Sequence, residues 1–291
     1  MNSRVAAVGP PNGIAALRQT GIDLCTKGFY QEALSAFQKA LFLAGEPAVN
    51  AEVYCDIGVV YRYLNRLEMA DEIFQFILEN DPPSRVRVVA HVEQAIVRLR
   101  QLDHRSALDK IALADEHELD DVVLQTHLNS TYGRVYFLLS DYDNALAKYN
   151  KALSIIRSHD GASAMPIILN NIGDCYVQLG DFPRGEEFNI QALKIAKERK
   201  NNRCISECLL SRMDAAMLQG QHEQAKLFGK QSLAIARSFK FGDIIGEVEY
   251  RLANIYREEG KENISNFFLN RVLQSHRNLN SEVLNILAKT G

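Results

Sequence analysis

An all-α fold, a solenoid of about seven stacked helix pairs with a C-terminal capping helix, is what the sequence predicts, and three observations lead there. A pattern of small and aromatic residues recurs along the chain at nearly constant spacing. Each copy holds two apolar stripes of helical period with a turn between them. One such pair cannot bury its apolar face alone, so neighbouring copies must stack.

Taken in order, the first copy runs Gly21, Leu24, Gly28, Tyr30, Ala33, Phe37, Ala40. The second runs Gly58, Tyr61, Leu67, Ala70, Phe74, with Pro82 after its second helix. The fourth has Gly133, Tyr136, Tyr142, Ala145, Tyr149 and Ala152, and the fifth Gly173, Tyr176, Gly180, Phe182, Gly185 and Ala192. Weaker copies start at Ala95, Met213 and Ala253 and keep Ala107, Ala225 and Ser265 twelve places on. The starts at 21, 58, 95, 133, 173, 213 and 253 are separated by 37, 37, 38, 40, 40 and 40 residues. Small residues at the first place and twelve places on let two antiparallel helices cross closely, where larger side chains would hold the backbones apart.

These residues resemble the tetratricopeptide repeat (TPR) family, whose consensus places Gly or Ala, Tyr, Gly, Tyr, Ala, Phe and Ala at the same offsets. The resemblance covers residues 14–278. The spacing exceeds the family's basic repeat of about 34 residues. It is similar to the longer-helix subtype of kinesin light chains, spindle-orientation adaptors and bacterial peptide-pheromone receptors. The resemblance implies a right-handed superhelix with repeats over 14–50, 51–87, 88–125, 126–165, 166–205, 206–245 and 246–278. A flexible leader over 1–13 and a capping helix over 279–291, N-capped by Ser281, complete the expected organisation. Two copies depart from the pattern. In the third, Arg98 takes an aromatic place and Val92, Ala95, Ile96 and Leu99 fit better one residue out of register, which predicts a shorter turn or a distortion. In the seventh, Glu262 stands where an aromatic is usual.

Composition bounds the function. The chain of 291 residues carries 33 Lys+Arg against 36 Asp+Glu, a formal charge of −3, so nothing draws it as a whole to nucleic acid or an anionic membrane. Hydrophobic residues at 47% and charged residues at 24% exclude wholesale disorder. Cys25, Cys55, Cys175, Cys204 and Cys208 include no CxxC pair, so they read as buried small hydrophobes in a reducing compartment. No stretch reaches the ~18 apolar residues of a membrane span, and residues 1–13 lack a signal-peptide core, so the expected location is the cytoplasm.

Catalytic material is poor: GxGxxG, P-loop, GxSxG and HExxH motifs are all missing and the histidines stand singly. The acidic run Asp115-Glu116-His117-Glu118 with Asp120-Asp121 reads as a solvated segment rather than a hard-cation site. The basic run Lys197–Lys200 with Arg203 lacks the interleaved aromatics of an RNA site. The expectation is therefore a non-enzyme with no cofactor and no metal. Its partners are a protein or peptide, with no nucleic acid and no membrane insertion, and the chain is a monomer or a weak homodimer through its N-terminal face.

In the resembled family the first helix of each repeat lines a groove, through residues three before, one after and four after the first small residue. Those places give Arg18, Ile22 and Cys25, then Cys55, Val59 and Arg62, then Ser130, Arg134 and Phe137. Later repeats give Asn170, Asp174 and Val177, then Leu210, Asp214 and Met217, then Tyr250, Asn254 and Arg257, with Glu93 and Arg100 as contributors from the third. The expected peptide site is Arg134, Asn170, Asn171, Asp174, Asp214, Tyr250, Arg251, Asn254 and Arg257. Helix-interior asparagines are disfavoured by propensity, and an amide both donates to and accepts from an extended peptide backbone. Arg134, Arg251 and Arg257 suit carboxylates. Asp174 and Asp214, one repeat apart, suit a basic ligand residue or a pairing with Arg134. The family's carboxylate clamp wants Lys and Asn where this chain has Arg18 and Ile22. Resemblance implies an adaptor holding a peptide segment of a partner. The alternative is a cytosolic peptide sensor whose superhelix changes shape on binding.

Overall fold

Seven residues after each repeat start stand Gly28, Asn65, Leu102, Ser140, Gly180, Gly220 and Gly260, and all seven have positive φ, from 56 to 81°. That left-handed residue reverses the chain and lets the next backbone N–H reach back to the carbonyl five residues earlier. The bonds are Phe29 N to Leu24 O, Arg66 N to Tyr61 O, Asp103 N to Arg98 O, Asp141 N to Tyr136 O, Asp181 N to Tyr176 O, Gln221 N to Ala216 O and Lys261 N to Tyr256 O, all 2.8–3.0 Å. Each turn thus ends one helix and starts the next. Asp103 and Asp181 also accept from the backbone N–H three residues on, capping the second helix.

The computed structural model describes residues 11–26, 28–44, 47–116, 120–157, 164–239 and 241–276. Among them are fourteen helices and no strand: α1 Pro11–Thr26, α2 Tyr30–Leu43, α3 Pro47–Tyr63, α4 Leu67–Glu79, α5 Ser84–Arg100, α6 His104–Asp115 and α7 Val122–Leu138. The rest are α8 Tyr142–Arg157, α9 Met165–Gln178, α10 Phe182–Glu198, α11 Asn202–Leu218, α12 His222–Ser238, α13 Gly242–Glu258 and α14 Glu262–His276. This is the all-α helical-repeat solenoid that the pattern predicts. Helix α1 begins at Pro11, inside the stretch expected as a leader, while residues 1–10 and the expected cap over 279–291, with Ser281, lie outside the described residues. The chain divides into two compact units, one ending at Asp141 and the other starting at Tyr142.

Within the N-terminal unit the small first residue of each pair lies against the large residue sixteen places on. A Cβ on Gly21 would stand 2.5 Å from Phe37, and one on Gly58 would stand 2.7 Å from Phe74. The third pair keeps this register: Ala95, Leu99, Ala107 and Ile111 are buried together, and Leu102 holds the usual turn place. The expected shift or shortened turn is therefore corrected. Helix α5 packs against α3, α4, α6 and α7, so apolar residues line nearly its whole circumference and the stripe no longer marks one face.

In the C-terminal unit the large–small pairing persists with altered chemistry. Gly173 faces Asn189 instead of an aromatic, and a Cβ on Gly173 would stand 2.5 Å from the Asn189 Nδ2. In the next pair the sizes are exchanged: Met213 fills the space above Gly229, its Sδ 2.7 Å from where a Gly229 Cβ would be.

Candidate functional site

The first helices of successive repeats lie side by side, α9 beside α11 and α11 beside α13 in the C-terminal unit. Polar side chains join them in a fixed pattern. Ser211 Oγ on α11 donates to Asp174 Oδ2 on α9 at 2.9 Å, and Arg251 Nε on α13 donates to Asp214 Oδ1 on α11 at 2.5 Å. In both cases the residue one place after a repeat start meets the residue two places before the next. The N-terminal unit uses the same place. Arg18 on α1 binds Glu52 and, at 2.7 Å, Asp56 on α3, while Arg62 on α3 binds Glu93 on α5 at 2.6 Å.

Four of the expected site residues, Asn170, Asp174, Asp214 and Arg251, fall in this one network. Asn170 Nδ2 donates to Ser211 Oγ at 2.8 Å and to Asp174 Oδ2 at 3.3 Å. Its own Oδ1 accepts from Asn189 Nδ2 of α10 at 3.1 Å. Asn170 is only 6% exposed, so its amide is committed to the fold instead of reaching a ligand backbone. Arg251 also reaches the backbone oxygen of Glu247 at 3.2 Å. Burial, with the Asp214 charge nearby, pushes the Asp174 carboxyl up to about 7 against the opposing Ser211, Asn189 and Arg251.

The other expected residues stand outside these bonds. Asn171 and Tyr250 are half-buried on α9 and α13. Asn254 Oδ1 accepts from the exposed Arg257 Nη2 at 3.2 Å. Arg134 is exposed on α7, in the N-terminal unit. Cys55, Val177 and Leu210 are buried, so three of the apolar groove places implied by resemblance are core. The basic run ends in Arg203, which is tied to Glu207 at 3.1 Å and to Asp243. Of the acidic run, residues 117–119 lie outside the described residues. Among the described residues no His, Cys, Asp or Glu cluster is arranged to hold a metal, and no helix is long and apolar enough to cross a membrane.

Sequence reasoning missed Ser211 and Asn189. Ser211 occupies the same repeat place as Arg251, Glu93 and Asp56, and a side-by-side alignment of that place exposes its unbroken polarity. Asn189 stands where Phe37, Phe74 and Tyr149 stand, and a polar residue in a core place is itself a signal.

Two family models, each described as tetratricopeptide repeat, match the sequence, one over residues 124–198 and 164–238 and the other over 51–83. No curated protein matches. Among solved structures, the chain is similar to a Rap protein complexed with Competence and Sporulation Factor, with TM-score 0.74 and 15% identity over 91% of this chain and 75% of that one. The apo form of the quorum sensor NprR from B. thuringiensis matches with TM-score 0.69 and 16% identity over 90% of this chain and 76% of that one. A tetratricopeptide repeat protein from Parabacteroides merdae matches with TM-score 0.61 and 12% identity over 96% and 98%. With its repeat pattern, its seven matching turns and these matches, the chain belongs to the tetratricopeptide repeat family.

Proposed function

We propose that this protein is a non-enzymatic, cytoplasmic adaptor that binds a peptide segment of a partner protein on the face formed by α9, α11 and α13. A protein-interaction or peptide-binding role is what the repeat fold supports. The observation that carries the finer reading is the lateral polar network: Asp174–Ser211 and Asp214–Arg251 lock three successive helices and set their polar groups in place before any ligand arrives. A preformed surface of this kind loses little entropy on binding. Around it Asn171, Tyr250, Asn254 and Arg257 present amides, a phenol and a guanidinium with surface left to offer.

The test is affinity capture of partners from native lysate with the wild type and with an Asn171→Ala/Asn254→Ala/Arg257→Ala variant, whose side chains lie outside the buried network. A partner held by the first and released by the second supports the reading. Partners held equally by both place binding elsewhere on the molecule. The shared fold of a Rap protein crystallised with the Competence and Sporulation Factor, and of the quorum sensor NprR, supports a second reading in which a short peptide changes the solenoid's shape. Small-angle scattering separates the two, because an adaptor keeps its envelope at saturating peptide and a sensor does not.

A further inference from the structure

Asp174 is a carboxylate whose hydrogen-bond donors are neutral. Ser211 Oγ lies 2.9 Å from Oδ2 and Asn170 Nδ2 lies 3.3 Å from it. The facing cation, Arg251, is instead bound to Asp214 at 2.5 Å and reaches Glu247 at 3.4 Å. Asp174, Asp214 and Glu247 thus outnumber the Arg251 guanidinium that faces them.

The support behind this carboxylate is unusual for the fold. Asn170 is held by Asn189, which is wholly buried in the place of a core aromatic and whose Oδ1 has no partner. Burying amides where an aromatic would pack costs stability. Such a departure from the local packing rule is expected where a site needs its groups held in one orientation. Here the buried amides run from the interior of the α9–α10 pair to the Asp174 carboxylate. Met217, three residues beyond Asp214 on the same helix face, offers apolar surface to the methylenes of a long side chain.

We propose that Asp174 and Asp214 together receive the guanidinium or ammonium of an arginine or lysine in a linear segment of a partner protein. The inference rests on the reading that the α9–α11–α13 face binds peptides, and it names the chemistry that this face selects. A cation beside Asp174 replaces neutral donors with a charge-assisted bond and relieves the repulsion from Asp214.

The experiment is fluorescence anisotropy with labelled degenerate octapeptide pools that differ in one fixed central residue: Arg, norleucine or Glu. The Arg pool is expected to bind the wild type about tenfold more tightly than the norleucine pool, a difference of about 1.4 kcal/mol. Asp174→Asn, which keeps the side-chain shape and is checked for folding by a circular dichroism melt, removes that preference. The ionisable groups facing Asp174 include Asp214, Arg251 and the free thiols of Cys175 and Cys208, both raised, the first by burial and the second by its hydrogen bond with the Cys204 thiol and by burial. The Asp174 carboxyl is itself pushed up to about 7, so Arg-pool binding should be about tenfold tighter at pH 8 than at pH 6 in the wild type and flat in Asp174→Asn. Equal binding of the Arg and norleucine pools, or a preference that survives in both Asp174→Asn and Asp214→Asn, overturns the inference. If the pools in that case still lose binding in the Asn171→Ala/Asn254→Ala/Arg257→Ala variant, the peptide-binding face stands without its cation site. If no pool binds at all, both readings fall together.

Discussion

Arg62 Nε donates to Glu93 Oε2 across 2.6 Å, and both side chains are buried between α3 and α5, with the guanidinium 4.4 Å above the Tyr63 ring. The pair ties two consecutive repeats, and each charge depends on the other because little water reaches either. Removing one partner strands the other. Glu93→Ala is expected to lower unfolding free energy by about 3–5 kcal/mol, whereas Arg62→Met/Glu93→Leu stays within about 1 kcal/mol of wild type or above it. Urea denaturation of the two single variants and the double variant checks this. A double variant as unstable as either single one would show that the bond itself, not the stranded charge, holds the repeats together.

Met213 and Gly229 exchange the sizes that Gly58 and Phe74 have in the second pair, and the exchange predicts strong coupling. Met213→Gly opens a cavity and should cost about 2–5 kcal/mol. Gly229→Phe drives a ring into the Met213 side chain and should cost about 1–3 kcal/mol or more. The double variant restores the arrangement of Gly58 over Phe74, so its cost should fall well below the sum. Additive losses in a thermal-melt cycle would refute the complementary exchange.

The turns were legible because geometry leaves few residue choices: a left-handed backbone at one place in each repeat favours Gly or Asn, and five of seven repeats use them. The lateral links were not. Asp56, Glu93, Ser211 and Arg251 share a repeat place but no residue type, and each partner lies about one repeat away in sequence. A polar residue on a helix reads as solvated until the neighbouring helix is placed beside it. Asn170 shows the opposite error. It was expected to face a ligand, yet the loss of the aromatic at Asn189 turns its amide inward.

Asp174 should make the unliganded protein less stable as pH rises. Its folded-state carboxyl is raised by burial to about 7, above the unfolded value of 3.8, so the folded chain holds this proton more tightly than the unfolded chain. The stabilising contribution is complete below pH ~4 and is lost as pH rises through ~7. Between pH 5.5 and pH 8 the wild type should lose about 1–2 kcal/mol relative to Asp174→Asn. Unfolding curves of both proteins at the two pH values test it, and parallel pH dependence would show that Asp174 is ionised in the folded chain throughout. The residue thus costs stability in the absence of a cation, a pattern familiar where function and stability compete.

Leu102 is the one bulky side chain among the seven left-handed turn residues, with φ of 61° and 61% of its surface exposed. An L-residue with a large side chain pays about 1–2 kcal/mol in this conformation, and solvent exposure returns almost none of it through burial. The turn bond itself is intact, with Asp103 N donating to Arg98 O at 3.0 Å and the Asp103 side chain capping α6 at Ser106. Glycine at this place would keep both bonds while removing the strain, and its greater unfolded-state entropy offsets only part of the gain. Leu102→Gly should therefore raise stability by about 0.5–1 kcal/mol, where a leucine-to-glycine change elsewhere on a helix surface lowers it. A matched Leu113→Gly variant, on the exposed face of α6, supplies that contrast. Destabilisation by Leu102→Gly comparable to that of Leu113→Gly would mean that the leucine side chain contributes packing that outweighs the strain of its backbone.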